Sequence, residues 1–162
     1  METKIGIAME LPEGKLPGFY AQIVKALAGK AQLFDRDKEL LIVDNEAQQQ
    51  AVLAVMQDFN IETSVMKLRL LAPDAELTEL FDDYGFTSRA EINYLYDKIV
   101  TAFRFAEGCE EADVDQAALQ IEEHLIALYK DRGHDVYIVD GQLEELMHGI
   151  AKAYRCRIEM LP

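Results

Sequence analysis

The sequence predicts an α/β or α+β fold. An N-terminal β-α-β-α-β unit and a C-terminal β-α-β unit are expected to form a mixed sheet, with an acidic helical insert between them. Two features of the 162-residue chain carry this reading: alternating apolar runs followed by amphipathic stretches near both ends, and a crowding of carboxylates in the middle. Half of the residues are apolar, enough for one ordinary domain or two small ones around a real core.

Taken in order, "KIGIAMEL" (4–11) alternates Ile5, Ile7, Met9 and Leu11 with small or polar residues, the period of a strand. "PEGKLPG" (12–18) is a turn cluster, and from Phe19 the residues Tyr20, Ile23, Val24 and Leu27 fall at helical spacing up to about Gly29. "KELLIVD" (38–44) reads as a buried strand. In "NEAQQQAVLAVMQDF" (45–59), Val52, Val55, Met56 and Phe59 share a helical face. "IETSVMKLRLL" (61–71) alternates again, with Met66, Leu68 and Leu70 opposite Lys67 and Arg69.

Pro73 marks a change of character. "DAELTELFDDYGF" (74–86) reads as a short helix and "TSRAEINYLYDKIVTAFRFAEG" (87–108) as a longer one, with Ile92, Leu95, Tyr96, Ile99 and Phe103 on one face. Ser88 and Glu91 have the spacing of a capping box at its start. After the acidic connector "CEEADVD" (109–115), a helix over roughly 115–131 is expected to bury Ala118, Ile121, Leu125 and Leu128. "HDVYIVD" (134–140) is a strand. "GQLEELMHGIAKAY" (141–154) is a helix buried through Leu143, Leu146, Met147, Ile150 and Tyr154, and "RCRIEML" (155–161) closes the chain as a strand. The segments expected are therefore 1–72, 73–131 and 132–162, the last packing with the first. Ile42-Val43-Asp44 and Ile138-Val139-Asp140 echo one another if the second copy is one residue shorter after the aspartate. Few identities support the echo, and any two β-α-β units share such a pattern.

The net charge of −14 is unevenly spread. Residues 1–72 hold 10 acids and 8 bases, residues 73–131 hold 15 and 4, and residues 132–162 hold 5 and 4. Such a field attracts basic partners and repels the phosphates of nucleic acid and of membranes, so direct binding to either is not expected. No apolar run approaches the roughly 20 residues of a membrane span. No signal pattern opens the chain, and two unrelated cysteines, Cys109 and Cys156, suit a reducing compartment. The expected location is cytoplasmic.

The strand-end aspartates Asp44 and Asp140 are the first candidates for chemistry, because ligands gather at the carboxyl ends of strands in open sheets. "LLIVDNEAQQQAVLAVMQDFNIETSV" (40–65) resembles the opening strand and helix of a response-regulator receiver domain, in which paired acids hold magnesium. The pattern then departs: Asn45 follows Asp44, and the position of the later phosphorylatable aspartate falls near Ala90. Both aspartates therefore read as caps of the helices that follow, their side chains accepting backbone N–H groups. His124, His134 and His148 lack zinc-ligand spacing, neither cysteine has a CxxC partner, and no phosphate loop, nucleophile elbow or HExxH is present. "EGCEEADVDQ" (107–116) lacks the spacing of a calcium loop. No catalytic residue, cofactor or metal is implied, and the balance leans away from an enzyme.

What remains is the acidic segment. Its candidate partner-binding residues are Asp74, Glu76, Glu79, Asp82, Asp83, Asp97, Glu107, Glu110, Glu111, Asp113, Asp115, Glu122 and Glu123. Carboxylates on rigid helices can imitate the spacing of DNA phosphates and occupy the groove of a basic protein. "DYGFTSRAEINYLYDKI" (83–99), with its Ser-x-x-Glu-Ile-Asn-x-Leu core, is similar to segments of the acidic antirestriction proteins that act as DNA mimics. The resemblance implies a non-enzymatic inhibitor of a nucleic-acid-binding protein. Two alternatives come from other classes. One is a small-molecule- or metal-binding regulatory domain using Asp44 and Asp140; the other is a structural subunit of a larger assembly, for which an oligomer stays open.

Overall fold

The computed structural model describes residues 1–11, 13, 14 and 17–162, the side chain of Pro17 excepted. The turn expected over 12–18 lies partly outside them. The fold is α+β, with four α-helices interleaved among the strands of two sheets, and every described strand register is antiparallel. Two sheets thus stand where one mixed sheet was expected. The chain divides into two compact units. The first comprises Glu2–Leu70 and Thr87–Tyr94; the second comprises Met1, Leu71–Phe86 and Leu95–Pro162.

The first unit runs β1 (Thr3–Glu10), α1 (Pro17–Ala28), β2 (Asp35–Asp37), β3 (Leu40–Val43), α2 (Glu46–Asp58) and β4 (Glu62–Leu70). Its strands lie in the order β2-β3-β1-β4, with β1 antiparallel to both of its neighbours. Ile7, Met9, Leu41 and Val43 from the sheet close against Ile23, Leu27, Val52, Val55 and Met56 from the two helices. That is the apolar face read from the sequence. β2 was not legible, because "DRD" contains no apolar residue to show a period. It matters for topology: the β2–β3 hairpin turns through Lys38, at φ 51°, and the reversal is what makes β3 antiparallel to β1.

The middle of the chain departs from expectation. The helices expected over 74–86 and 87–108 are replaced by β5 (Glu76–Leu77), β6 (Gly85–Thr87), β7 (Asn93–Tyr96) and β8 (Val100–Phe105), with 3₁₀ turns at Phe81–Asp83 and Asp97–Ile99. Ser88 does not open a helix. Its hydroxyl accepts from Ile92 N at 3.3 Å inside a tight turn, and Glu91, at φ 64°, breaks helical geometry there. The composition explains the outcome: Tyr94, Tyr96, Val100, Phe103 and Phe105 belong to the aromatic and β-branched types that suit a pleated surface. β7 follows β4 in the first sheet, and Asn93 and Tyr94 belong to the first unit. The Tyr94 hydroxyl donates to Asp35 at 2.8 Å although three strands separate β7 from β2. With strands about 4.8 Å apart, only a strongly curled sheet permits that bond.

From β8 the second unit continues with α3 (Glu111–Ile121), β9 (Ala127–Asp131), β10 (His134–Asp140), α4 (Glu144–Ala153) and β11 (Ile158–Leu161). The helix expected to reach 131 ends at Ile121. The strand order is β11-β8-β10-β9-β5. One face of this sheet, through Phe103, Tyr137, Val139 and Ile158, packs on Ala117, Ile121, Met147 and Ile150 of the helices. The other face, through Val100, Ala102, Ala127, Val136 and Ile138, is covered by Leu71, Phe81 and Leu95.

Both units therefore follow one course, β-α-β-β-α-β, with the first strand between the third and fourth: a split β-α-β arrangement. The Ile-Val-Asp echo occupies equivalent places in it. Phe34 N donates to Ile42 O at 2.8 Å, and Ile126 N to Ile138 O at 2.8 Å. Residues 132–162 share a compact unit with 95–131.

Candidate functional site

Charge follows the compact units. The second unit holds 19 acids against 7 bases, whereas the first holds 11 against 9. All thirteen carboxylates singled out in the sequence lie in the second unit.

Its sheet divides them into two sets. Asp74, Glu76, Glu79, Asp82 and Asp83 belong to the 71–86 segment, whose Leu71 and Phe81 cover one face, and all five are exposed. Glu107, Glu110, Glu111, Asp113, Asp115, Glu122 and Glu123 belong to α3 and its flanks, on the face packed by the helices. Of these only Asp113 is half-buried. Asp97, also half-buried, sits in the 3₁₀ turn before β8. The two sets meet at one place: the Thr78 hydroxyl donates to Leu125 O at 2.5 Å, which ties the Glu79 segment to the end of the Glu122–His124 turn. The apolar positions that hold α3 down are Ala117 and Ile121, so the helical period leaves Glu111 and Asp115 to solvent and puts Asp113, one turn before Ala117, half-buried.

Asp44 and Asp140 belong to different units, and their roles differ from one another. Asp44 is not the cap of α2. Asn45 is, accepting from Gln48 N at 3.0 Å, because it alone stands at the extended residue before the helix. Asp44 instead pairs with the Lys4 ammonium at 2.5 Å, and Glu2 accepts from the same ammonium at 3.0 Å. Lys4 is buried and lies 4.0 Å from the centre of the Phe34 ring. Burial works against the charged form, but the hydrogen bonds and charges of Asp44 and Glu2 outweigh it and raise the lysine above its ordinary value. Asp140 does cap, accepting from Gln142 N at 2.8 Å at a 3₁₀ turn that leads into α4. It also accepts from the Tyr84 hydroxyl at 2.7 Å. That hydrogen bond, then burial and the charges of Asp140 and Asp83, raises the Tyr84 phenol.

Sequence reasoning missed Lys4 and Tyr84 as partners of these aspartates. Tyr84 stands 56 residues from Asp140 and carries no local signal. Lys4 carries none either, since it falls on the face of β1 opposite Ile5, Ile7 and Met9, a face that the strand period alone leaves to solvent.

Three surface cavities are bordered by charged side chains. One of about 350 Å³ is bordered by Tyr84, Lys98, Asp140 and Gln142. A second, of about 440 Å³, is bordered by Arg104, Glu107, His134 and Arg157. The third lies in the first unit, about 480 Å³, and brings Arg36, Lys38 and Arg89 to Tyr20 and Asp35. His124 and His148 neighbour Glu123 and Glu144 at 3.2 and 4.0 Å. Among the described residues no group of three or more His, Cys, Asp or Glu side chains is arranged to hold a metal ion, and no helix is long and apolar enough to cross a membrane. Compared with protein families, with curated proteins and with solved structures, the chain finds no match.

Proposed function

We propose that the protein is a non-enzymatic binding protein whose second unit docks on a basic macromolecular partner. The observation that supports this is the segregation of charge: 19 acids face 7 bases in one compact unit while the other is nearly balanced. The docking element in this reading is the α3 set, seven carboxylates within residues 107–123, three on a helix whose apolar side is held in the core and four on its flanks. Long-range attraction speeds encounter with a cationic surface and is screened by salt. In its narrower form the set stands in for phosphates before a nucleic-acid-binding protein. The division of the acids by the sheet favours the α3 set for that role.

The test is a binding titration against two basic probes, a histone and a DNA-cleaving nuclease, at about 20 mM and about 200 mM salt. Binding at low salt that weakens at high salt, and that falls at least tenfold in Glu110→Gln/Glu111→Gln/Asp115→Asn, supports the reading. Competition by duplex DNA supports the narrower form. No binding at low salt, or binding indifferent to salt, sinks it.

A further inference from the structure

We propose that Cys109 and Cys156 form a thiol–disulfide modification site, at which a small disulfide is reduced and the two residues become joined. This inference does not rest on the acidic-docking reading. The two are the chain's only cysteines, both are free thiols, and they come from different elements. Cys109 lies in the loop between β8 and α3, and Cys156 between α4 and β11. The backbone brings them together. Ala106 N donates to Arg157 O at 2.8 Å, extending the β8–β11 pairing by one step into the loop. The Cys109 sulfur then accepts from Arg157 N at 3.5 Å, one residue from Cys156, and Cys109 packs against the apolar cluster that contains Cys156.

A bond requires the sulfurs to close to about 2.05 Å. The Cys109 side can supply the movement, since it follows Gly108, at φ 90°, in an exposed turn. Accessibility sets the order of events. Cys109 is half-buried and meets a solute first; Cys156 is only 4% exposed and packs in the core. The Cys109 thiolate attacks one sulfur of the small disulfide, whose S–S bond breaks, and the departing thiolate takes up a proton. Cys156 then loses its proton and attacks the Cys109 sulfur, expelling the second small thiol. Two protein thiols give up two electrons and two protons, and one disulfide leaves as two thiols. Glu107, Glu110 and Glu111 flank Cys109 and set the class of oxidant: they repel an anionic disulfide and favour a cationic one.

The experiment treats the whole protein with cystamine at about pH 8, where a free thiol is partly ionised, and follows intact mass and titratable thiols. Both thiols are expected to disappear together, with a mass lower by two hydrogens, no covalent dimer, and a Tm higher by roughly 5–10 °C. Cys109→Ser should retain its Cys156 thiol through the same treatment. Cys156→Val, which keeps the core filled, should accumulate a mixed disulfide on Cys109. At low salt, glutathione disulfide should react about tenfold more slowly than cystamine, and added salt should narrow the gap. A mixed disulfide that persists on Cys109 in the wild-type protein overturns the proposal, as does a disulfide-linked dimer or two thiols left unreacted. Equal rates for the two disulfides at low salt overturn the assignment of the oxidant's class.

Discussion

Lys4 shows how much a single buried charge asks of its surroundings. Its ammonium is buried and satisfied by Asp44 and Glu2, so truncating Asp44 leaves a charge with one partner instead of two. Asp44→Ala is expected to cost about 2 kcal/mol, and Asp44→Asn less, because the amide oxygen still accepts; urea unfolding midpoints measure both. The same residue contributes to a pH dependence. Lys4 is raised above its ordinary 10.5, and Tyr84, Tyr94 and Tyr137 above theirs of 10.0. For Tyr94 the cause is burial and then the hydrogen bond to Asp35; for Tyr137, pushed up to about 12, it is burial and then the charges of Asp135 and Asp115. In each case the protonated form is favoured by folding. The stability it contributes is therefore complete below about pH 10 and is lost as pH climbs through the raised values. Alkaline unfolding should begin above that pH, with Tyr94 and Tyr137 ionising only as the chain opens. A phenolate absorbance titration that shows every tyrosine ionising at its ordinary value, ahead of unfolding, would contradict this.

At the scale of elements, the ends of helices are where single substitutions speak most clearly. Asn45→Ala removes the one side-chain cap of α2 and should lower stability by about 1 kcal/mol in thermal or urea unfolding. Arg155 ends α4 at φ 63°, a left-handed position that a side chain strains, so Arg155→Gly should raise stability by roughly 0.5–1 kcal/mol. Elements long enough to show a period were legible in the sequence: β1, α1, α2, β4, β10 and α4 stand where it puts them. The pieces in 73–105 were not. The strands there are two to six residues long and interrupted by turns, and Ile92, Leu95, Tyr96, Ile99 and Phe103 fit a helix by coincidence. Leu146, expected inside, is 44% exposed because α4 turns its Met147, Ile150 and Ala151 side to the sheet. Of the aspartate corners the position was legible and the partners were not. A hydrogen bond from Tyr84 or an ion pair from Lys4 depends on tertiary placement that no local pattern encodes.

The whole molecule carries two units of one topology and unequal charge. Nineteen acids against seven bases repel one another within the folded second unit more than in an expanded chain. Raising salt from about 20 mM to about 500 mM should therefore raise Tm, and Glu110→Gln/Glu111→Gln should raise it at low salt and shrink the salt effect. A Tm indifferent to salt would mean that the charges are already balanced locally. The shared topology has a practical use as well. Asn60 and Arg155 are the same turn of the same corner, and the next residues, Ile61 and Cys156, each donate to a carbonyl five positions back, Met56 and Ala151, at 2.9 and 2.8 Å. Each half of the chain is thus an internal reference for the other. An isoleucine already fills in one half the place that a thiol fills in the other, so the sulfur at 156 is an option of this half and not a demand of the architecture.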